Sequence, residues 1–176
     1  MGIHHMAFAT KDLEATHRFY TEVMGFDLVK VVAGPTEGGG WSKHLFYDTG
    51  EQGLIAFWDL HDDTIGSDFR TDISKGMGLP VWVNHLAFDA PTPDALDARR
   101  RHWQDQGVTV TELDHGWCRS IYTLDPNGIL VEFCNTTRAF TDADRAEAAR
   151  LLADPDPELE DPPPFTVHRP TVTTPS

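Results

Sequence analysis

The sequence predicts an α+β fold of two paired βαβββ modules that form one cupped, barrel-like mixed sheet with the helices outside. Three observations predict it. The order strand, helix, strand, strand, strand occurs twice along 176 residues. The opening strands, Ile3-His4-His5-Met6-Ala7-Phe8 and Val83-Asn84-His85-Leu86-Ala87-Phe88, repeat one another position by position. Neither module can bury a sheet face alone, so the two must pair around one core.

The elements follow in order. Ile3 to Thr10 is β-prone and ends at a polar break. Asp12 then precedes Leu13, Ala15, Phe19, Tyr20 and Val23 at helical spacing, with Gly25 as the stop. Phe26 to Val32 is a strand closed by Ala33-Gly34-Pro35 and the glycine run 38–40, and Trp41 to Tyr47 with Leu54 to Leu60 reads as a hairpin. Residues 1–60 are the first module, and 61–82 form a polar connector without a clear pattern. The second module, 83–135, repeats the series: Asp94 to Gln106 is a helix stopped by Gly107, Val108 to Leu113 a strand, and Ser120 to Leu124 and Ile129 to Cys134 flank the turn Asp125-Pro126-Asn127-Gly128. Setting Gly128 on Gly53 places Tyr122 on Tyr47 and Glu132 on Phe57. Residues 136–176 leave the repeat. Thr141 to Asp144 caps a helix over Ala146 to Ala153, whose Ala148, Leu151 and Leu152 are expected to dock on the barrel, and a proline-rich extended tail follows.

Composition narrows the function. A formal net charge of −14, from 14 Lys and Arg against 28 Asp and Glu, argues against nucleic acid or an anionic membrane as partner. No apolar run is long enough to span a bilayer and no charged-then-apolar leader is visible, so the expected location is cytoplasmic. Cys118 and Cys134 are expected to be free thiols.

Glu132 is the residue that needs explaining. It lies among Leu130, Val131, Phe133 and Cys134, where an unpaired charge costs several kcal/mol to bury unless it faces solvent or meets a cation or donors. Period-two alternation puts His5 on one face with Ala7 and Ala9, His85 with Ala87, and Glu132 with Leu130 and Cys134. Small neighbours leave room for a ligand. Two histidines related by the repeat and one carboxylate make a facial metal site with open coordination positions. His4 points the other way and is read as structural, and by itself His115, between Asp114 and Gly116, reads as a turn histidine.

The chain resembles the vicinal oxygen chelate superfamily of glyoxalases, fosfomycin-resistance proteins, epimerases and type I extradiol dioxygenases. The resemblance implies that His5, His85 and Glu132 are metal ligands. Four-ligand members carry the extra ligand on the last strand of the first module, where this chain is taken to have Phe57, so the three-ligand arrangement is implied. A narrower resemblance is to the extradiol signature, carried by His115, Ile121-Tyr122, Asp125-Pro126, Gly128 and Glu132; Leu113 departs from it. It implies Fe(II), with Mn(II), Ni(II) or Zn(II) as alternatives, and a small aromatic diol and O2 as substrates. Tyr122 then hydrogen-bonds a substrate oxygen, His115 orients or donates to the bound diol, and His61 stands in for an acid-base histidine. Phe57 and Trp117 are the expected aromatic substrate contacts. A homodimer is the expected assembly. An isomerase, lyase or thiol transferase of the same fold with another metal is the alternative reading, and a metal-free small-molecule binder ranks last.

Overall fold

The structure is a computed structural model that describes residues 2–171; Met1 and the last five residues of the tail, 172–176, lie outside the described residues. Its order of elements is that of two βαβββ modules. The first has β1 (His5–Thr10), α1 (Leu13–Arg18), β2 (Asp27–Pro35), β3 (Gly40–Gly50) and β4 (Gly53–Asp62). The second has β5 (His85–Asp89), α2 (Pro93–Asp105), β6 (Val110–Asp114), β7 (Cys118–Leu124) and β8 (Leu130–Thr136). A third helix, α3 (Asp142–Ala153), and a short strand, β9 (Phe165–His168), follow. Among the described residues no helix is long and apolar enough to cross a membrane.

Local chemistry accounts for the helices. Asp12 caps α1 by accepting from the Ala15 amide, and the helix widens into a π-helical turn over Phe19–Val23 before Gly25, whose φ of +72° ends it. Thr92 caps α2 and Pro93 opens it, where a missing N–H costs nothing. Thr141 and Asp144 form a capping box on α3. That helix starts four residues before the expected Ala146, because its charged first turn is held by the cap. Docking is only partial: Ala148 and Leu151 lie toward Trp117 and Phe140, but Leu152 is 90% exposed.

Each module forms its own sheet, ordered β1-β4-β3-β2 and β5-β8-β7-β6-β9. In both, the first strand runs parallel to the last, which joins the outer strands in antiparallel pairing. The register fixes the repeat. Ala7 pairs with Ala56, and its counterpart Ala87 pairs with Glu132, so the repeat partner of Glu132 is Ala56 and not Phe57. By the same logic Tyr122, opposite Glu132, corresponds to Phe46, opposite Ala56, and not to Tyr47. The glycine-anchored alignment fails by one residue because the β3–β4 hairpin closes on Glu51 and Gln52, both at positive φ, with a register shift between Asp48 and Gly50. The second module turns instead on Asp125 to Gly128.

The core lies on the sheet faces opposite His5 and His85. Tyr20, Phe26 and Phe57 from the first module meet Phe88, Trp103 and Phe133 from the second, with Phe26 rings 5.1 Å from Phe88 and 6.3 Å from Phe133. Polar bonds lock the same junction. Tyr20 donates to Asp125 Oδ2 at 3.1 Å, and Arg99 donates to the Met24 carbonyl at 2.9 Å. Asp125 also accepts from the amides of Asn127 and Ile129, so the turn that precedes Glu132 is pinned to the helix of the other module. Burial raises the Asp125 pKa, against the pull of these donors.

Candidate functional site

The second sheet gathers the chemistry. On the face free of helix, β5 contributes His85, β8 contributes Glu132, β7 contributes Tyr122, and His115 reaches in from the end of β6. The His85 Nε2 lies 3.2 Å from Glu132 Oε2, and its Nδ1–H donates to the Trp82 carbonyl at 3.0 Å. That second bond fixes the tautomer and turns the Nε2 lone pair toward the carboxylate. Two acceptors then face one another across 3.2 Å, and Glu132 is only 4% exposed. Such a contact calls for a proton or a cation between the two atoms. A cation fits, because two bonds of about 2.1 Å at right angles put their donor atoms about 3.0 Å apart.

Tyr122 stands directly across from Glu132 in the β7–β8 register, and its hydroxyl is 3.1 Å from His115 Nε2. Burial, reinforced by the Glu132 charge, holds the phenol protonated far above the usual tyrosine range. Cys134, two residues beyond Glu132 on the same face, is also driven toward its neutral form, with its thiol pushed up to about 12 by burial. Its neutral thiol packs beside Ser120 and Cys118 rather than standing ready as a nucleophile.

His85, His115 and Tyr122 border a cavity of about 740 Å³, with Glu132 and Cys134 behind its wall. His85, His115 and Tyr122 form its polar wall, and Thr111, Leu113 and Leu130 continue it along the sheet. Trp82 lies at one side, and Pro162 and Pro163 of the tail close another. Sequence reasoning does not reach the tail as part of the site, because its prolines carry no pattern that names a partner. The only sequence signal is the alternating Phe165-Thr166-Val167-His168 just beyond them.

The other expected site residues are elsewhere. His5 lies on the helix-free face of the first sheet, with its Nδ1 2.8 Å from that of His4 and its ring 5.9 Å from Phe46. His4 is thus a direct neighbour of His5 rather than a residue of the opposite face. Among the described residues no group of three or more His, Cys, Asp or Glu side chains comes together as a metal site within one chain. The two sheets share their cores and not their histidine faces, which is why His5 does not reach His85 and Glu132. His44, on the His5 face, stacks on Trp58 at 3.7 Å and leaves its buried Nε2 without a partner; burial, then the nearby His5, lowers its pKa.

Three expectations need correction. Phe57 is fully buried on the core side, 4.6 Å from the Tyr20 ring, so it cannot touch a substrate. Trp117 packs on Phe140 at 5.1 Å beside α3 and does not border the cavity. His61 points to the opposite side of β4 from Trp58, stacks on Trp41 at 3.8 Å and pairs with Asp59 at 3.0 Å. It belongs to the first sheet and has no contact with the Tyr122 side of the molecule.

Comparison with known proteins agrees with this architecture. The family profile described as Glyoxalase/Bleomycin resistance protein/Dioxygenase superfamily matches residues 2–133. No curated protein matches the chain. A glyoxylase/bleomycin resistance protein/dioxygenase domain from Frankia sp. EAN1pec is similar at 19% identity and a TM-score of 0.58, with 77% of this chain and 98% of that one covered. A lactoylglutathione lyase from Agrobacterium tumefaciens is similar at 21% identity and 0.53, covering 76% and 92%. TnmS3, an antibiotic binding protein from Streptomyces sp. CB03234, is similar at 19% identity and 0.53, covering 78% and 97%. With the profile match spanning three quarters of its length and the paired βαβββ sheets in place, the chain belongs to the glyoxalase/bleomycin resistance/dioxygenase superfamily.

Proposed function

We propose that the chain is a metal-dependent enzyme acting on a small molecule with two adjacent oxygens, and specifically an extradiol dioxygenase that opens a monocyclic catechol with O2. The observation that carries it is the His85–Glu132 pair at 3.2 Å, set beside the His115–Tyr122 pair on one wall of an apolar cavity. Of the signature residues quoted above, His115, Tyr122 and Glu132 share this face, while Asp125 and Gly128 build the turn that sets the register of β8.

His85 and Glu132 would hold the metal, with His5 as third ligand from a second copy of the chain. Support for that completion is the face on which His5 lies: Val32 is 49% and Trp58 36% exposed there, an uncovered apolar surface beside a histidine pair. Fe(II) would supply a Lewis-acidic centre able to bring a diol and O2 together. The protein groups do the rest. Tyr122 stays protonated through neutral pH and would donate its one O–H to a substrate oxygen; His115, donating its Nε2–H to the phenol oxygen, would hold that hydroxyl in this orientation. Leu113, Leu130 and the tail prolines keep water from the reacting ring.

Anaerobic loading with Fe(II), then air and a panel of catechols, tests the activity: a yellow ring-opened product lost in Tyr122→Phe supports it, and no product from iron-loaded protein rejects it. Mixing inactive His5→Ala and Glu132→Ala proteins tests the shared site. Exchange of subunits would restore about a quarter of wild-type activity, since half the dimers then hold one intact site.

One observation favours a second reading. The unpartnered Nε2 of His44, on the same face as His5, is a further donor, and a four-ligand isomerase site with Ni(II) or Zn(II) would use it. Metal preference separates the two.

A further inference from the structure

The tail runs where a ligand must sit. β9 extends the second sheet by pairing antiparallel with β6, Leu113 against Phe165 and Val110 against His168. This puts the preceding Pro162 and Pro163 on the cavity, on the side away from His85, while the Pro164 carbonyl accepts from the Asp114 amide. The strand is fastened beyond its own ladder. His168 Nε2 is 2.7 Å from Glu112 Oε2, Gln104 donates to the Arg169 carbonyl at 2.8 Å, and Thr171 donates to Asp105 at 2.7 Å. A segment pinned at four places is a wall and not a loose end. The superfamily match ends at residue 133, so this wall lies outside the part of the chain that matches the family.

We propose that Pro162 and Pro163 set the substrate size of the cavity, admitting a single compact ring and excluding biaryl diols. The inference rests on the reading of this cavity as the diol site. Proline suits this position, since it has no N–H to leave unpaired in an apolar cavity, and its fixed φ keeps the wall from yielding to a larger ligand. Each ring carries apolar surface toward whatever lies against Tyr122 and Leu130, and removal of a few methylene-sized contacts shifts discrimination by about 10–200-fold.

The test compares the full chain with Pro162→Gly/Pro163→Gly, which keeps β9, and with a chain ending at Asp161, which loses both. Binding of catechol and of a vicinal dihydroxybiphenyl to Mn(II)-loaded protein is measured by calorimetry. The expected result is a preference for catechol in the full chain that falls about tenfold in the glycine variant and vanishes in the truncated one. An unchanged preference in both variants overturns the proposal. Failure of both diols, catechol included, to bind the full chain would count against the diol reading, and the wall is then judged without metal or diol, by anilinonaphthalene sulfonate fluorescence. Truncation should tighten the dye about tenfold, and Leu130→Trp, which fills the cavity, should abolish its binding. Equal dye affinity with and without residues 162–176 overturns the wall on its own.

Discussion

The His85 imidazole makes two contacts of opposite kind: its Nδ1–H donates to the Trp82 carbonyl at 3.0 Å, and its Nε2 lone pair faces Glu132 Oε2 at 3.2 Å. Without a cation this contact places a buried carboxylate against a lone pair. In Glu132→Gln an amide N–H can donate to that lone pair, so the metal-free variant is expected to gain about 1 kcal/mol. It should lose the stabilisation that Mn(II) gives the parent chain. Thermal unfolding of both proteins with and without Mn(II) checks the pair of signs. A variant that still gains stability from the cation would remove Glu132 from the site.

Tyr122→Phe keeps the ring and deletes only the hydroxyl that His115 meets at 3.1 Å. Turnover is expected to fall by about 10²-fold with cation affinity unchanged. Rate measurements beside a Mn(II) titration separate these; equal losses in both would make Tyr122 a structural support of Glu132.

Phe57 provides the converse case. It packs at 4.6 Å on Tyr20 and is fully buried, so Phe57→Ala should destabilise the protein by about 3–5 kcal/mol. Phe57→Leu, a milder change, should lower the unfolding midpoint in urea and leave KM where it was. A raised KM in the leucine variant would return Phe57 to the substrate.

The chain has three tyrosines, and burial raises the pKa of each, that of Tyr47 to about 12 and those of Tyr20 and Tyr122 well above the usual tyrosine range, with Asp125 adding to the effect at Tyr20 and Glu132 at Tyr122. Above pH 10 the unfolded chain ionises these phenols while the folded one retains their protons. Their contribution is therefore complete below pH 10 and is lost as pH rises through the folded values, with a slope of about 1.4 kcal/mol per pH unit from Tyr20 alone. Denaturant melts from pH 9 upward should show the decline, shallower in Tyr20→Phe, and tyrosinate absorbance should appear only with unfolding. Ionisation of all three in the folded state would contradict the burial.

Much of this was legible in the chain. Helix starts at Asp12 and Thr141 and stops at Gly25 and Gly107 are local signals, because capping depends on a few adjacent residues, and the second helix, expected from Asp94, begins one residue earlier at Pro93 behind the Thr92 cap. Strand faces were equally legible: Glu132 does share its side with Leu130 and Cys134, and His85 with Ala87. Cross-strand register was not, since a two-residue turn at Glu51-Gln52 and a shift at Asp48 move the first module by one residue relative to the second. That slip is why Phe57 was set on Glu132 in place of Ala56, and a slip of one exchanges the two faces of a strand.

By itself the sequence determined the repeated βαβββ order, the acidic surface and the residue types that can bind a metal and move a proton, because each depends on composition or on periods of two and 3.6 residues. Only the tertiary structure decided which of those residues meet. Tyr20, Phe26 and Phe133 are buried together behind the two sheets with the half-buried Phe88 against them, a non-local choice that seats His85 beside Glu132 and leaves His5 on a separate face. The same kind of choice, pairing β9 with β6 over more than fifty intervening residues, brought the tail prolines to the cavity.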